Sequence, residues 1–280
     1  MASSIRIAEL EIGREKEALA FLEQDPVTNL RIIWALRRWG LFDLGLAEQG
    51  AYLAAWGKRG MQGLLLLNNQ GMMRVAAKGE TARALVEGAL SELDMPEVLA
   101  GPEEEVEELL DGVGGLAQSV VHREEEVSLV LSRGDFIPFW GRAEQAGDED
   151  LDSLATLEKL LHEELLGSAP ENWVIRTQLR RALEDGAAAL VRWDGRPVAK
   201  AQIEAATPLA DELGGVITVG DRRRCGFAAS ACTVVCEWSL SRGKTVRLET
   251  QRDNEAAIAL YRGLGFKELF PHLVVRFHQY

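Results

Sequence analysis

Apolar residues recur along this chain at two different spacings. Val27, Leu30, Ile33 and Trp34 lie three to four residues apart and predict a helix that stops at Gly40. Asp25 can cap its start and Pro26 can take its first position. Between 51 and 76 short apolar runs are cut by Gly60, Gly63 and Asn68-Asn69-Gln70-Gly71, the pattern of two or three antiparallel strands. A helix over 80–93 follows, then a short apolar segment at 97–100. An acidic helix over 103–110 and a strand at 127–131 complete the first half.

Past Arg133-Gly134-Asp135 the pattern restarts. Leu154, Leu157, Leu160, Leu161 and Leu165 predict one helix, and 171–184 a second. The segments 187–193 and 197–206 read as a hairpin turning at Asp194-Gly195. A strand at 215–219, a helix over 226–241, a strand at 245–249, a helix over 254–264 and a closing strand pair over 266–277, broken near Pro271, finish the chain. The order is ααβββαβαββ, and the first half gives nearly the same order. Matched orders predict two copies of one mixed α/β (α+β) fold, with domains at 1–133 and 134–280. A length of 280 residues suits two units of about 140.

Charge narrows the function classes. There are 31 Lys and Arg against 44 Asp and Glu, a formal net charge of −13. Such an acid excess disfavours nucleic acid as a partner, because cationic side chains supply most phosphate-backbone affinity. Apolar runs are too short for a membrane span of about 20 residues, so no membrane partner is expected. The N-terminal residues mix acids and bases without the apolar stretch of a signal peptide, which predicts a cytoplasmic protein. Cys225, Cys232 and Cys236 crowd into one segment while four histidines are scattered; this predicts neither a disulfide framework nor a metal site. Cys232 and Cys236 read as small core residues of a helix.

The sharpest chemical signal is Gly215-Val-Ile-Thr-Val-Gly-Asp-Arg-Arg-Arg-Cys-Gly-Phe-Ala-Ala229, a strand that runs through a basic loop straight into a helix. The first turn of a helix offers N–H groups without intrahelical partners, and the macrodipole favours an anion there. Arg222, Arg223 and Arg224 add formal charge, although the same residues would also suit a plain solvated loop. A second segment, from Val246 to Asn254, leads into a helix carrying Tyr261 and is followed by Gly265-Phe266.

Together these segments resemble the GNAT acyltransferases. Arg223, Gly226 and Ala228 meet the family's loop pattern; Asn254, Tyr261 and Gly265-Phe266 meet its second signature. The resemblance covers about residues 135 to 280. Asp25-Pro26-Val-Thr-Asn29 is similar to a bacterial subgroup of tandem GNAT proteins with a degenerate N-terminal copy, and the corresponding first-half segment, Ala76-Ala-Lys78-Gly-Glu-Thr-Ala82, lacks the arginine-glycine pattern. The implied fold is a tandem GNAT fold, with a mixed, mostly antiparallel sheet flanked by helices in each half.

The resemblance implies an acyl-CoA-dependent N-acyltransferase that moves acetyl from acetyl-CoA to a primary amine, small-molecule or peptide, by direct attack in a ternary complex. It places the cosubstrate on Ile217, Thr218, Val219, Arg223, Arg224, Cys225, Gly226, Phe227, Ala228, Asn254 and Tyr261. A backbone N–H near Val219 would polarise the thioester, and Tyr261 would be the general acid. Glu204 and Glu212 are the candidate bases, with Glu249 behind them. Arg224 stands where the family usually has glycine, so a positive φ there would add strain. With that departure, a non-catalytic acetyl-CoA-binding regulatory or interaction module is the alternative reading. A monomer or homodimer is expected.

Overall fold

The structure, a computed structural model, describes residues 5–93, 95–185 and 187–278. These fall into two units, one of residues up to 128 together with 270–278, the other of residues 129–269. The first unit runs β1 (Arg6–Glu9), α1 (Glu15–Leu22), α2 (Leu30–Trp39), β2 (Gly50–Gly57), β3 (Gly60–Asn68), β4 (Met72–Ala76), α3 (Gly79–Glu92), β5 (Val98–Pro102), α4 (Glu103–Gly112) and β6 (Val120–Leu131), which from Leu129 onward counts with the second unit. The second continues with β7 (Ala143–Gln145), α5 (Leu151–Leu166), α6 (Asn172–Asp185), β8 (Ala188–Trp193), β9 (Arg196–Ala206), β10 (Ala210–Thr218), α7 (Phe227–Leu240), β11 (Thr245–Gln251) and α8 (Glu255–Gly263). β12 (Lys267–Phe277) ends the chain and from Phe270 onward counts with the first unit.

In the first unit the strand order is β1-β2-β3-β4-β5-β12, antiparallel except for the parallel β4–β5 pair. The four consecutive leucines of β3 do not alternate with polar residues because both faces of the sheet are covered. Leu64 and Leu66 pack with Leu22, Ile33 and Leu36 of α1 and α2. Leu65 and Leu67 pack with Leu85 and Val86 of α3 and Leu109 of α4. The last half of β12 pairs with β5 from His272↔Pro102 to Arg276↔Val98, which is why residues 270–278 group here and not within 134–280.

The second unit orders its strands β11-β10-β9-β8-β7, with only β10–β11 parallel. On one face Leu154 and Leu157 of α5 and Ile175 and Leu179 of α6 close over Ala188, Leu190 and Ile217. α7 packs against β8, β9 and β10. Ala199 and Ala201, alternating with Lys200 on β9, are fully buried and small enough to let a helix approach closely.

Several expectations need correction. Asp25 does not cap α2: its Oδ1 accepts from the Thr28 N–H at 3.1 Å, one turn early, and α2 begins after Asn29. β1 and α1 went unpredicted, because short amphipathic pieces leave little periodicity. β10 begins at Ala210, five residues before the expected strand, since Asp211, Glu212 and Gly214 read as loop yet are largely enclosed. β12 is one strand passing through Pro271, which lies ahead of the first β5 pair and so forfeits no N–H to that strand. The hairpin turn is as expected: Asp194 and Gly195 have φ of 49° and 74°, the two positive values of a type I′ turn.

Candidate active site

β10 and β11 touch only at their first residues, Ala210↔Thr245, Asp211↔Val246 and Glu212↔Arg247. Beyond these, among the described residues, the two strands run on to Thr218 and Gln251 without pairing. Val219 N–H donates to the Val198 carbonyl at 2.9 Å and Ile217 lies opposite Lys200, so both backbones are taken by the β9 side. Alternation in an antiparallel pair then turns the N–H of Thr218 toward the open edge. The donor expected near Val219 is therefore that of Thr218, because Val219's own N–H is spent. Ile217 and Val219 turn their side chains into the α5–α6 core.

Two compensating irregularities shape this edge. Register sums change between Glu212 and Leu213, where β9 carries the extra residue Glu204, and again between Gly214 and Ile217, where β10 carries one. The first re-aims Glu204, whose carboxylate lies over Gly214: a Cβ there would come within 2.3 Å of Glu204 Cδ. Gly215 adopts φ +57°, and a Cβ there would come within 2.6 Å of Lys200 Nζ.

The loop after β10 carries two left-handed residues close together, Arg224 at φ 62° and Gly226 at φ 76°. Such alternation points successive N–H groups into one concavity that suits an anion. Gly226 is the N-cap of α7, and no side chain caps that first turn. Arg224 holds the positive φ expected of the family's glycine position, and it is exposed, with no ion-pair partner among the described residues. Arg222 pairs loosely with Asp221 at 3.9 Å. Arg223 turns its side chain away from the concavity: Nε donates to the Thr218 carbonyl at 3.1 Å and the guanidinium pairs with Glu164 of α5. Phe227 is buried and its ring meets Trp193 with centroids 5.7 Å apart, so only its backbone and that of Ala228 face the helix start.

Tyr261 is buried on α8, with its ring edge-on to Phe266 at 5.7 Å. Burial pushes its phenol well above the usual value, and Cys232, Cys236 and Glu204 push the same way. The phenol is thus held protonated as a donor. Asn254 caps α8, its Oδ1 accepting from the Ala257 N–H at 3.1 Å. Gly265 is required because the Asp135 carbonyl would lie 1.9 Å from any Cβ there. Glu212 is buried at the paired base of the two strands, and Glu249 accepts from buried Arg247. Among the expected carboxylates, Glu204 is the exposed one whose charge reaches Tyr261. Sequence reasoning missed Lys200, Gln202 and Glu158; a lysine at the centre of an otherwise apolar strand was the available signal.

The thiols divide sharply. Cys225 is exposed, whereas Cys232 and Cys236 are buried. Burial pushes the Cys232 thiol up to about 12 and raises that of Cys236 as well. A thiol reagent at about pH 8 is expected to label one cysteine per native chain and three per unfolded chain. Because the fold holds these protons more tightly than the unfolded chain does, their stabilising effect is intact below about pH 9 and is lost as pH rises toward 12. Rapid native labelling of all three would contradict the packing of α7.

Residues 154–266 match the acetyltransferase (GNAT) family. No curated protein sequence matches the chain. Among solved structures, the chain is similar to an acetyltransferase of the GNAT family from Colwellia psychrerythraea, at 14% identity and TM-score 0.64 over 98% of this chain and 100% of that one. A tandem GNAT protein from the clavulanic acid biosynthesis pathway matches at 13% identity and TM-score 0.62, over 99% and 100% of the two chains. A GNAT-family acetyltransferase of Novosphingobium aromaticivorans DSM 12444 matches at 24% identity and TM-score 0.50, over 72% and 82%. The matched residues 154–266 lie in the second unit, whose strands part beside a left-handed loop and an uncapped helix start, and the chain as a whole has the tandem GNAT fold.

Proposed function

We propose that this protein is an acyl-CoA-dependent N-acyltransferase, transferring acetyl from acetyl-CoA to a primary amine. The observation that carries the reading is the junction of the parted β10 and β11 edges with the Arg224–Gly226 concavity at the start of α7. In the reaction the amine nitrogen bonds to the thioester carbonyl carbon, the C–S bond breaks, and coenzyme A leaves as a thiol. The residues fit that substrate. The first-turn N–H groups of α7 and exposed Arg224 suit its pyrophosphate. Thr218 N–H, free of the β9 ladder, suits the carbonyl oxygen as charge gathers there. Tyr261, kept protonated by burial, donates to the departing sulfur. Glu204, re-aimed by its bulge and exposed, takes the proton that the amine sheds. Glu212 is a poorer base because it lies where the strands are still paired.

Release of coenzyme A thiol that depends on added primary amine is the expected result. Release that ignores the amine, or no release with any member of a broad amine panel, would refute the reading.

Arg224 offers a separate test. A non-glycine residue in the left-handed region costs about 1–2 kcal/mol, partly offset by the extra freedom of glycine in the unfolded chain. Arg224→Gly is expected to stabilise the protein by about 0.5–1 kcal/mol in urea unfolding. Its acetyl-CoA dissociation constant should rise about three- to tenfold by calorimetry as one exposed phosphate-facing charge is lost. Unchanged affinity would remove Arg224 from the phosphate site.

A further inference from the structure

Lys200 has no part in the chemistry above, yet its side chain is fully enclosed. An ammonium has three donors, and three acceptors surround this one: Gln202 Oε1 at 2.9 Å, the Gly215 carbonyl at 2.8 Å and Glu158 Oε2 at 2.5 Å. Glu158, on α5, is itself buried, and its other oxygen lies 3.4 Å from His162 Nε2. Gly215 belongs to the irregular stretch of β10, and its positive φ turns its carbonyl out of the ladder and onto the ammonium. The neighbouring residue faces the other way. A side chain at Gly215 would strike Lys200 and Gln202, while one at Gly214 would strike the carboxylate of Glu204. One glycine pair thus separates a buried ammonium on one face from an exposed carboxylate on the other.

We propose that Lys200, held by Glu158, is a positioning residue of the acyl-transfer site. Its ammonium pins the Gly215 carbonyl, and through it both the extra residue of β10 that turns the Thr218 N–H to the open edge and the adjoining Gly214, over which the Glu204 carboxylate lies. The proposal rests on the acyl-transfer reading above. A buried ion pair is weak evidence for stability, since apolar residues of similar volume often replace one without loss. The clamp's effect therefore shows in geometry and rate more than in folding.

The test is the double variant Lys200→Met/Glu158→Leu, which leaves no buried charge unpaired, beside Lys200→Met alone. The double variant is expected to unfold at a urea midpoint close to that of the native chain. Its kcat should fall about 30- to 100-fold, the scale of a small misplacement at the reacting centre. KM for acetyl-CoA should stay within about threefold, because the loop before α7 is untouched. Amide hydrogen exchange over 214–218 should quicken about tenfold or more while α6 is unchanged.

A double variant with kcat within about twofold of native and unchanged exchange at 214–218 would overturn the clamp. If the native protein shows no amine-dependent thiol release, the acyl-transfer reading fails by itself. The exchange measurement still decides whether Lys200 pins the bulge.

Discussion

Tyr261→Phe lowers kcat for amine-dependent thiol release by about 10²- to 10³-fold, the usual worth of a general acid, with little change in KM for acetyl-CoA. The substitution removes one hydroxyl and keeps the ring that packs edge-on to Phe266, so the fold should survive. Burial holds the phenol protonated well past its ordinary value of 10.0. The native rate should accordingly show no loss from Tyr261 ionisation up to about pH 10. Assayed with one good amine across pH 6–10, the variant that keeps full turnover would show that Tyr261 is only a core residue.

Gly226→Ala raises the dissociation constant for acetyl-CoA about 30-fold or more. Two effects add. The residue sits at φ +76°, where an L side chain is strained, and its Cβ would come within 2.9 Å of the Phe139 ring. To relieve both, the loop must swing, and the concavity at the start of α7 closes or loses its converging N–H groups. Calorimetry with acetyl-CoA and with free coenzyme A should report the same loss, because the substitution acts on the phosphate end and not on the acetyl group. Native-like affinity in a folded variant would mean that coenzyme A does not use this helix start.

The residues themselves foretold part of this. The loop 223–228 was legible because its requirements are local: glycine at one of its two positive-φ positions, small residues where a phosphate approaches, and a helix starting at once. Gly265 was equally legible as a motif, although its reason, a carbonyl from Asp135 pressed against its Cα, lies far away in sequence. The bulges were not legible. Gly214-Gly215 reads as the plain entry to a strand, and only the cross-strand register reveals that each glycine makes room for a charged side chain of β9. For the same reason Glu204, Glu212 and Glu249 could not be ranked beforehand, since their difference lies in pairing and exposure. Arg223 shows the converse: the motif marks it, yet its guanidinium ties β10 to α5 at Glu164 and does not face the concavity. Lys200 and Glu158 lie 42 residues apart and become a pair only once α5 is laid on β9.

The central claim is direct transfer of acetyl to an amine on the second unit. Incubating the native protein with isotopically labelled acetyl-CoA and a panel of primary amines, then weighing the products by mass spectrometry, tests it most directly. The account predicts a labelled N-acetyl amine formed in equal amount to free coenzyme A, and its loss in Tyr261→Phe. Tight calorimetric binding of acetyl-CoA with no labelled amine from any member of the panel would contradict it.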